Sequence, residues 1–184
     1  MSFFQRRDDP HMLVVGMTGV KMGDRFVQIG CAHGGRLGAV AAKVGLSGRA
    51  VAIVPDEASA ERARKGAAQA GVLVEVEVAP PVHLAAEDAS FDVAVVDETA
   101  GVFGSLGAEG RVAAVRELYR ILRPGGRTIV ISAVPRGGLG ALFTRAESGP
   151  SIDLKPSLQA DGFKSVRLLA ERDGLAFVEA IKPR

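Results

Sequence analysis

Tryptophan is absent from the 184-residue sequence, and tyrosine and cysteine occur once each. The single cysteine, Cys31, excludes an internal disulfide and fits a reducing compartment. Eight phenylalanines and one tyrosine are too few to interleave with basic side chains as a single-stranded nucleic-acid surface requires. A net charge of +2 and a pI near 8.9 add little to a nucleic-acid reading. No Gly-Lys-Ser/Thr phosphate loop occurs. Apolar runs break at Gly, Lys or Asp well short of the roughly 18 residues of a membrane span. The first ten residues carry no apolar stretch followed by a cleavage site, so a signal peptide is not expected. The three histidines and the acids show no metal-ligand spacing. The expectation is a cytoplasmic protein of one domain, residues 1–184.

What the chain does have is glycine, valine and alanine in an ordered pattern. Residues 26–29 form a short apolar run, and Gly30, Gly34 and Gly35 punctuate the turn after it. Leu37, Val40, Ala41 and Val44 then recur at helical spacing. Strand, glycine turn and helix make a ligand cradle, because glycines admit close backbone approach and a helix start presents unpaired N–H groups. The same pattern recurs downstream. Residues 50–54 read as a buried strand, Asp56 and Glu57 open an alanine-rich helix, and Gly71 ends it. Residues 73–78 alternate with Glu75 and Glu77 as a half-wet strand, and residues 91–96 run continuously apolar.

Residues 108–122 predict an amphipathic helix with Val112, Val115, Leu118 and Leu122 inward. Arg111, Arg116, Glu117 and Arg120 face outward, and these arginines with Arg123 read as a solvated face. Residues 123–126 terminate this helix and residues 128–131 make a fifth strand. At the N-terminus, Asp9 and Pro10 predict the start of a short helix to about Val20. The glycine-rich stretch 136–150 reads as a loop, with Gly137, Gly138 and Gly140 beside Arg136 as a candidate lid. A short helix over 154–160 precedes a β-hairpin, 164–170 and 175–181, turning at Asp173-Gly174. Five strand–helix alternations and a terminal hairpin predict a mostly parallel α/β sheet with helices on both faces. The mean hydropathy of +0.19 fits such a sheet, and fits a subunit interface equally.

Three segments together carry a resemblance: Val27-Gln-Ile-Gly-Cys-Ala-His-Gly34, Glu87-Asp-Ala-Ser-Phe-Asp-Val-Ala-Val-Val96 and Glu117-Leu-Tyr-Arg-Ile-Leu-Arg-Pro-Gly-Gly126. With the terminal hairpin, they resemble the class I S-adenosylmethionine-dependent methyltransferases, the small-molecule branch especially. The resemblance implies a Rossmann-like, doubly wound, seven-stranded sheet in the order 3-2-1-4-5-7-6, its last strand antiparallel. It implies S-adenosylmethionine as cofactor and a small molecule as methyl acceptor. The cofactor would meet Gln28, Gly30, Cys31, Ala32, His33, Gly34, Val54, Asp56, Glu57 and Asp97.

Departures from the family pattern sit inside that set. Gln28 stands where the family usually has an acid, and Ala32 replaces the middle glycine of Gly-x-Gly-x-Gly. Val54 takes the place of the acid that holds the ribose, and Pro80 that of the acid that meets the adenine. Each lost polar partner would cost about 1–3 kcal/mol. Two losses would weaken binding by roughly two to four powers of ten. Asp56 and Glu57 lie near enough in sequence to stand in for the ribose acid.

Asp97, after the fourth strand, is the candidate base, or a metal ligand, at the carboxyl edge where open α/β sheets bind ligands. Capping the next turn is its bland alternative. His33 is a second candidate base, with an ordinary imidazole titrating near ~6.5. The reading that outweighs this one is a partly exposed loop histidine that only hydrogen-bonds. Two functions follow: methyl transfer, or a non-catalytic methyltransferase-like binding or scaffold protein that acts as an oligomer or with a partner subunit.

Overall fold

The computed structural model describes residues 11–134 and 153–184. The expected cap at Asp9, the helical start at Pro10 and the 136–150 loop with its lid glycines lie outside these residues. In chain order the elements are α1 (Met12–Thr18), β1 (Arg25–Ile29), α2 (Gly34–Val44), β2 (Arg49–Val54), α3 (Glu57–Ala70) and β3 (Glu75–Val78). They continue with β4 (Phe91–Asp97), a 3-10 turn at Glu98–Ala100, α4 (Ala108–Ile121) and β5 (Leu122–Ala133). The last are α5 (Lys155–Ala160), β6 (Lys164–Arg172) and β7 (Leu175–Ile181).

The seven strands form one sheet in the order β3-β2-β1-β4-β5-β7-β6. The first five run parallel and β7 is antiparallel to both β5 and β6. This is the Rossmann-like methyltransferase arrangement expected from the motifs. Alternation along the central strands splits the core in two. Val27, Ile29, Val51, Ile53, Ala94 and Val96 face α4 and α5, with Phe103, Leu118 and Phe163. Phe26, Ala52, Val54, Val93 and Val95 face α1, α2 and α3, with Val14, Leu37, Val40, Ala60 and Ala63. Gln28 shares the parity of Phe26 and so lies on that second face, buried. At the hairpin, Asp173 and Gly174 both have positive φ, 56° and 77°, as a two-residue turn joining twisted strands demands.

The region around α4 differs from the sequence reading. Val112 is exposed, and the buried residues are Ala114, Val115, Leu118 and Ile121. Residues 123–126 do not end the element ahead of a separate strand, because β5 starts at Leu122 directly after the helix. Its register runs from Leu122 to Arg127 while β4 advances only from Phe91 to Val93, so the Pro-Gly-Gly stretch is a bulge. Nor are the arginines a bare solvated face. Arg120 is half-buried and donates to Glu117, to Asp88 and to the carbonyls of Leu84 and Ala86. Arg116 pairs with Asp161, Arg123 with Asp92, and Arg111 donates to the Leu106 carbonyl. Lys182 donates to the Tyr119 and Leu122 carbonyls, satisfying the C-terminal end of α4.

Candidate functional site

The turn from Gly30 to Gly34 lies at the carboxyl end of β1, and four contacts fix it. Gly30 has φ of 80°, a conformation natural to glycine. Its amide donates to the Ile53 carbonyl on β2 at 2.9 Å. Gln28 donates from Nε2 to the Gly30 carbonyl at 2.9 Å. An ionised acid here could only accept, so this bond to a carbonyl of the turn needs the glutamine amide. Asp97 then reaches across from β4, accepting the Ala32 amide on Oδ2 at 2.9 Å. Its other oxygen accepts from the Thr99 hydroxyl, and Arg36 donates to the same hydroxyl at 3.2 Å. The chain Arg36–Thr99–Asp97–Ala32 thereby links the first turn of α2 to the end of β4.

The fourth contact comes from α3. Arg62 donates from Nε to the Cys31 carbonyl at 3.1 Å and from Nη2 to Ser59 Oγ at 2.7 Å. A Cβ on Gly66 would fall on the Gly34 backbone, and one on Gly34 would fall on the Arg62 carbonyl, both inside 3.0 Å. The backbones of α2 and α3 therefore touch, and only glycines permit it. On the other side of the turn, Val102 is buried against Gly30, where a Cβ would come within 2.9 Å of it. Glu98 holds the Val102 segment by accepting the amides of Phe103 and Gly104 at 2.8 and 2.7 Å. Burial pushes the Glu98 carboxyl up, the two amides pull it down, and the net shift is upward.

A cleft of about 560 Å³ opens between α1, the start of α2, α3 and the β6–β7 turn. Ala32, His33 and Gly34 line it. His33 is exposed, and its imidazole is pushed below the ordinary value by desolvation first, then by Arg36. Gln28, Gly30, Cys31, Val54 and Asp97 are buried. The Cys31 thiol is pushed up to about 11, by burial first and then by Asp97, which suits a filler and not a nucleophile. Val54 is 0 % exposed inside the core facing α2 and α3. Asp56 and Glu57 are exposed at the carboxyl end of β2, outside the cleft lining. Asp56 caps α3 by accepting the Ser59 amide at 2.7 Å, and that bond holds its carboxyl below the ordinary range. Glu57 pairs with Arg64. Pro80 is exposed beyond β3.

The structure thus brings Gln28, Gly30, Ala32 and Asp97 into one bonded unit and leaves Asp56 and Glu57 apart from it. Arg36, Arg62, Lys65, Gly66 and Val102 are residues of the site that the sequence reading passed over. Gly66 carried a usable signal, since a glycine inside an alanine-rich helix costs about 1 kcal/mol and implies close approach. Among the described residues no cluster of His, Cys, Asp and Glu can hold a metal ion. Nor is any described helix long and apolar enough to cross a membrane.

Solved structures share this fold at low sequence identity. A SAM dependent methyltransferase from Aquifex aeolicus superposes with a TM-score of 0.74 at 18% identity, covering 94% of this chain and 89% of its own. The 4+2 cyclase SpnF gives 0.70 at 21%, covering 94% and 79%. A SAM-dependent O-methyltransferase from Thermotoga maritima gives 0.65 at 16%, covering 95% and 64%. No curated protein sequence matches the chain. A family model described as a methyltransferase domain does match, over residues 27–130, which is more than half of the sequence and runs from β1 into β5. The chain belongs to the methyltransferase-domain family.

Proposed function

We propose that this protein transfers a methyl group from S-adenosylmethionine to a small molecule. The observation that carries the reading is the turn 30–34, pinned from β4 by Asp97 within a methyltransferase-family scaffold. Methyl transfer from a sulfonium is an in-line displacement, so the catalyst's main task is to hold donor and acceptor rigidly aligned. The donor would lie over the turn, with ribose contacts falling to Asp56 or Glu57, because Val54 is sealed in the core. Asp97 has both oxygens engaged and acts by positioning the turn. His33, exposed and held toward the neutral form, is the better placed group to accept a proton from an acceptor.

A second reading, a methyltransferase-like protein without transfer activity, is favoured by Val54 and Gln28 in place of acids. SpnF, a cyclase of the same fold, illustrates that this scaffold alone does not dictate methyl transfer. Thermal melting with S-adenosylmethionine and S-adenosylhomocysteine separates the two readings. The enzyme reading expects a melting temperature that climbs with either ligand, by mass action on the native state. A melting temperature flat to millimolar concentrations of both would favour the non-catalytic protein.

A further inference from the structure

The cleft beside the turn carries more basic side chains than the single carboxylate of the methyl donor would match. Arg36, Arg62 and Lys65 line it together with His11 and His33, and among the described residues the lining contains one acid, Asp173. Among the described residues none of these three cations pairs with a carboxylate. Arg36 spends its described bond on Thr99, and Arg62 spends its own on Cys31 and Ser59. Lys65, exposed one turn before Gln69, takes part in no described bond. The α2 helix starts here with no side-chain cap and no acid in its first turn, so its positive end adds to the field. The neighbouring His33 registers that field. After desolvation, Arg36 depresses it, and His11 and Arg62 depress it further, against the opposing pull of Asp97.

We propose that this cleft is an anion subsite that takes a phosphate-bearing small molecule, its phosphate held among Arg36, Arg62 and Lys65. Three basic side chains against one described acid call for a multiply charged anion. A phosphate also offers enough oxygens for several donors at once, where a single carboxylate offers two. A polynucleotide fits poorly, since among the described residues no Phe, Tyr or Trp lines the cleft for bases to stack on. As a phosphate site the inference stands by itself. As the subsite of the methyl acceptor it rests on the methyl-transfer reading above.

The test is a titration of the full chain with inorganic pyrophosphate at low salt, followed by amide and imidazole NMR signals. The amides of residues 32–36 and 65 are expected to shift, and the His33 pKa to rise as the anion offsets its cationic neighbours. Lys65→Gln and Arg36→Gln are each expected to weaken binding by about tenfold, the loss of one charge-assisted contact. Lys65→Gln is the cleaner variant, because Lys65 has no described structural bond to lose. The titration is repeated with S-adenosylhomocysteine present. Unchanged pyrophosphate affinity supports a separate subsite, whereas mutual displacement means the cations hold the donor's carboxylate, and the proposal fails. No shift by about 10 mM pyrophosphate, or equal affinity in wild type and both variants, also overturns it. Pyrophosphate binding without S-adenosylhomocysteine binding would keep the phosphate site and remove its assignment to a methyl acceptor.

Discussion

Replacing Gly66 by alanine tests the account of how the turn is held. In an ordinary helix interior the change is favourable by about 0.8–1.0 kcal/mol. At position 66 the new Cβ would lie on the Gly34 carbonyl and Cα, closer than 3.0 Å, so α2 and α3 must part. Neither contact is with the tip of a flexible side chain, so the strain cannot be relieved by a rotamer change. Overpacking of this kind costs about 1–3 kcal/mol. Parting the helices also stretches the bond from Arg62 to the Cys31 carbonyl, a charge-assisted contact worth about 1.5–3 kcal/mol. Subtracting the propensity gain leaves a net loss of about 1.5–5 kcal/mol. For a chain of this size that lowers the melting temperature by roughly 3–20 °C. Gly16 is the internal control. It lies inside α1 with nothing within 4 Å of an added Cβ, so Gly16→Ala should gain about 0.5–1 kcal/mol. Urea denaturation read by circular dichroism, with the midpoint compared at constant slope, measures both. A Gly66→Ala protein as stable as wild type, or both variants shifting the same way, would refute the close contact.

Other predictions follow from single groups. Asp56→Ala should cost about 0.5–2 kcal/mol at neutral pH through the lost cap. Because the Asp56 pKa is lowered from 3.8 in the folded state, that contribution is present above this value and lost as pH falls through the depressed one. Wild type and variant should therefore converge in acid denaturation profiles. Glu98 has the opposite sign: its pKa is raised above 4.5, so its contribution is full below that value and fades as pH rises through the folded pKa. The stability of Glu98→Gln relative to wild type should increase with pH across that window, as read by urea midpoints at several pH values. Thr128 is 0 % exposed and its hydroxyl has no hydrogen-bond partner among the described residues. Thr128→Val should be neutral or stabilising by about 1 kcal/mol in the same assay, and a clear loss would reveal a partner for that hydroxyl.

The sheet was legible because residues 50–54 and 91–96 are continuous apolar runs, residues 73–78 alternate, and α2 and α3 have defined stops at Gly45 and Gly71. The hairpin was legible because Asp-Gly encodes the positive φ its turn needs. Local punctuation misled at residues 123–126, where proline and glycine read as a stop although the ladder to β4 continues around them. Arg120 and Glu117 misled for a related reason. Helical periodicity places them outward, but the 84–88 segment folds over them and supplies carbonyls and Asp88 as partners. In the site, the turn and Asp97 were visible as positions, while Asp97's engagement with Ala32 depends on a strand 65 residues away. Arg62, Lys65 and Gly66 come from α3, whose contact with the turn exists only once two parallel strands are laid side by side. Val54 shows the limit of motif alignment. It ends β2, as expected, and its side chain is buried in an apolar core.

Calorimetric titration with S-adenosylhomocysteine, run on wild type and on Asp97→Asn, tests the central claim most directly. If the turn pinned by Asp97 carries the donor, wild type binds with a micromolar dissociation constant. The asparagine variant can then present an amide where an acceptor is needed, so binding weakens by roughly one to two powers of ten. No heat at millimolar ligand, or equal affinity in the two proteins, would contradict it.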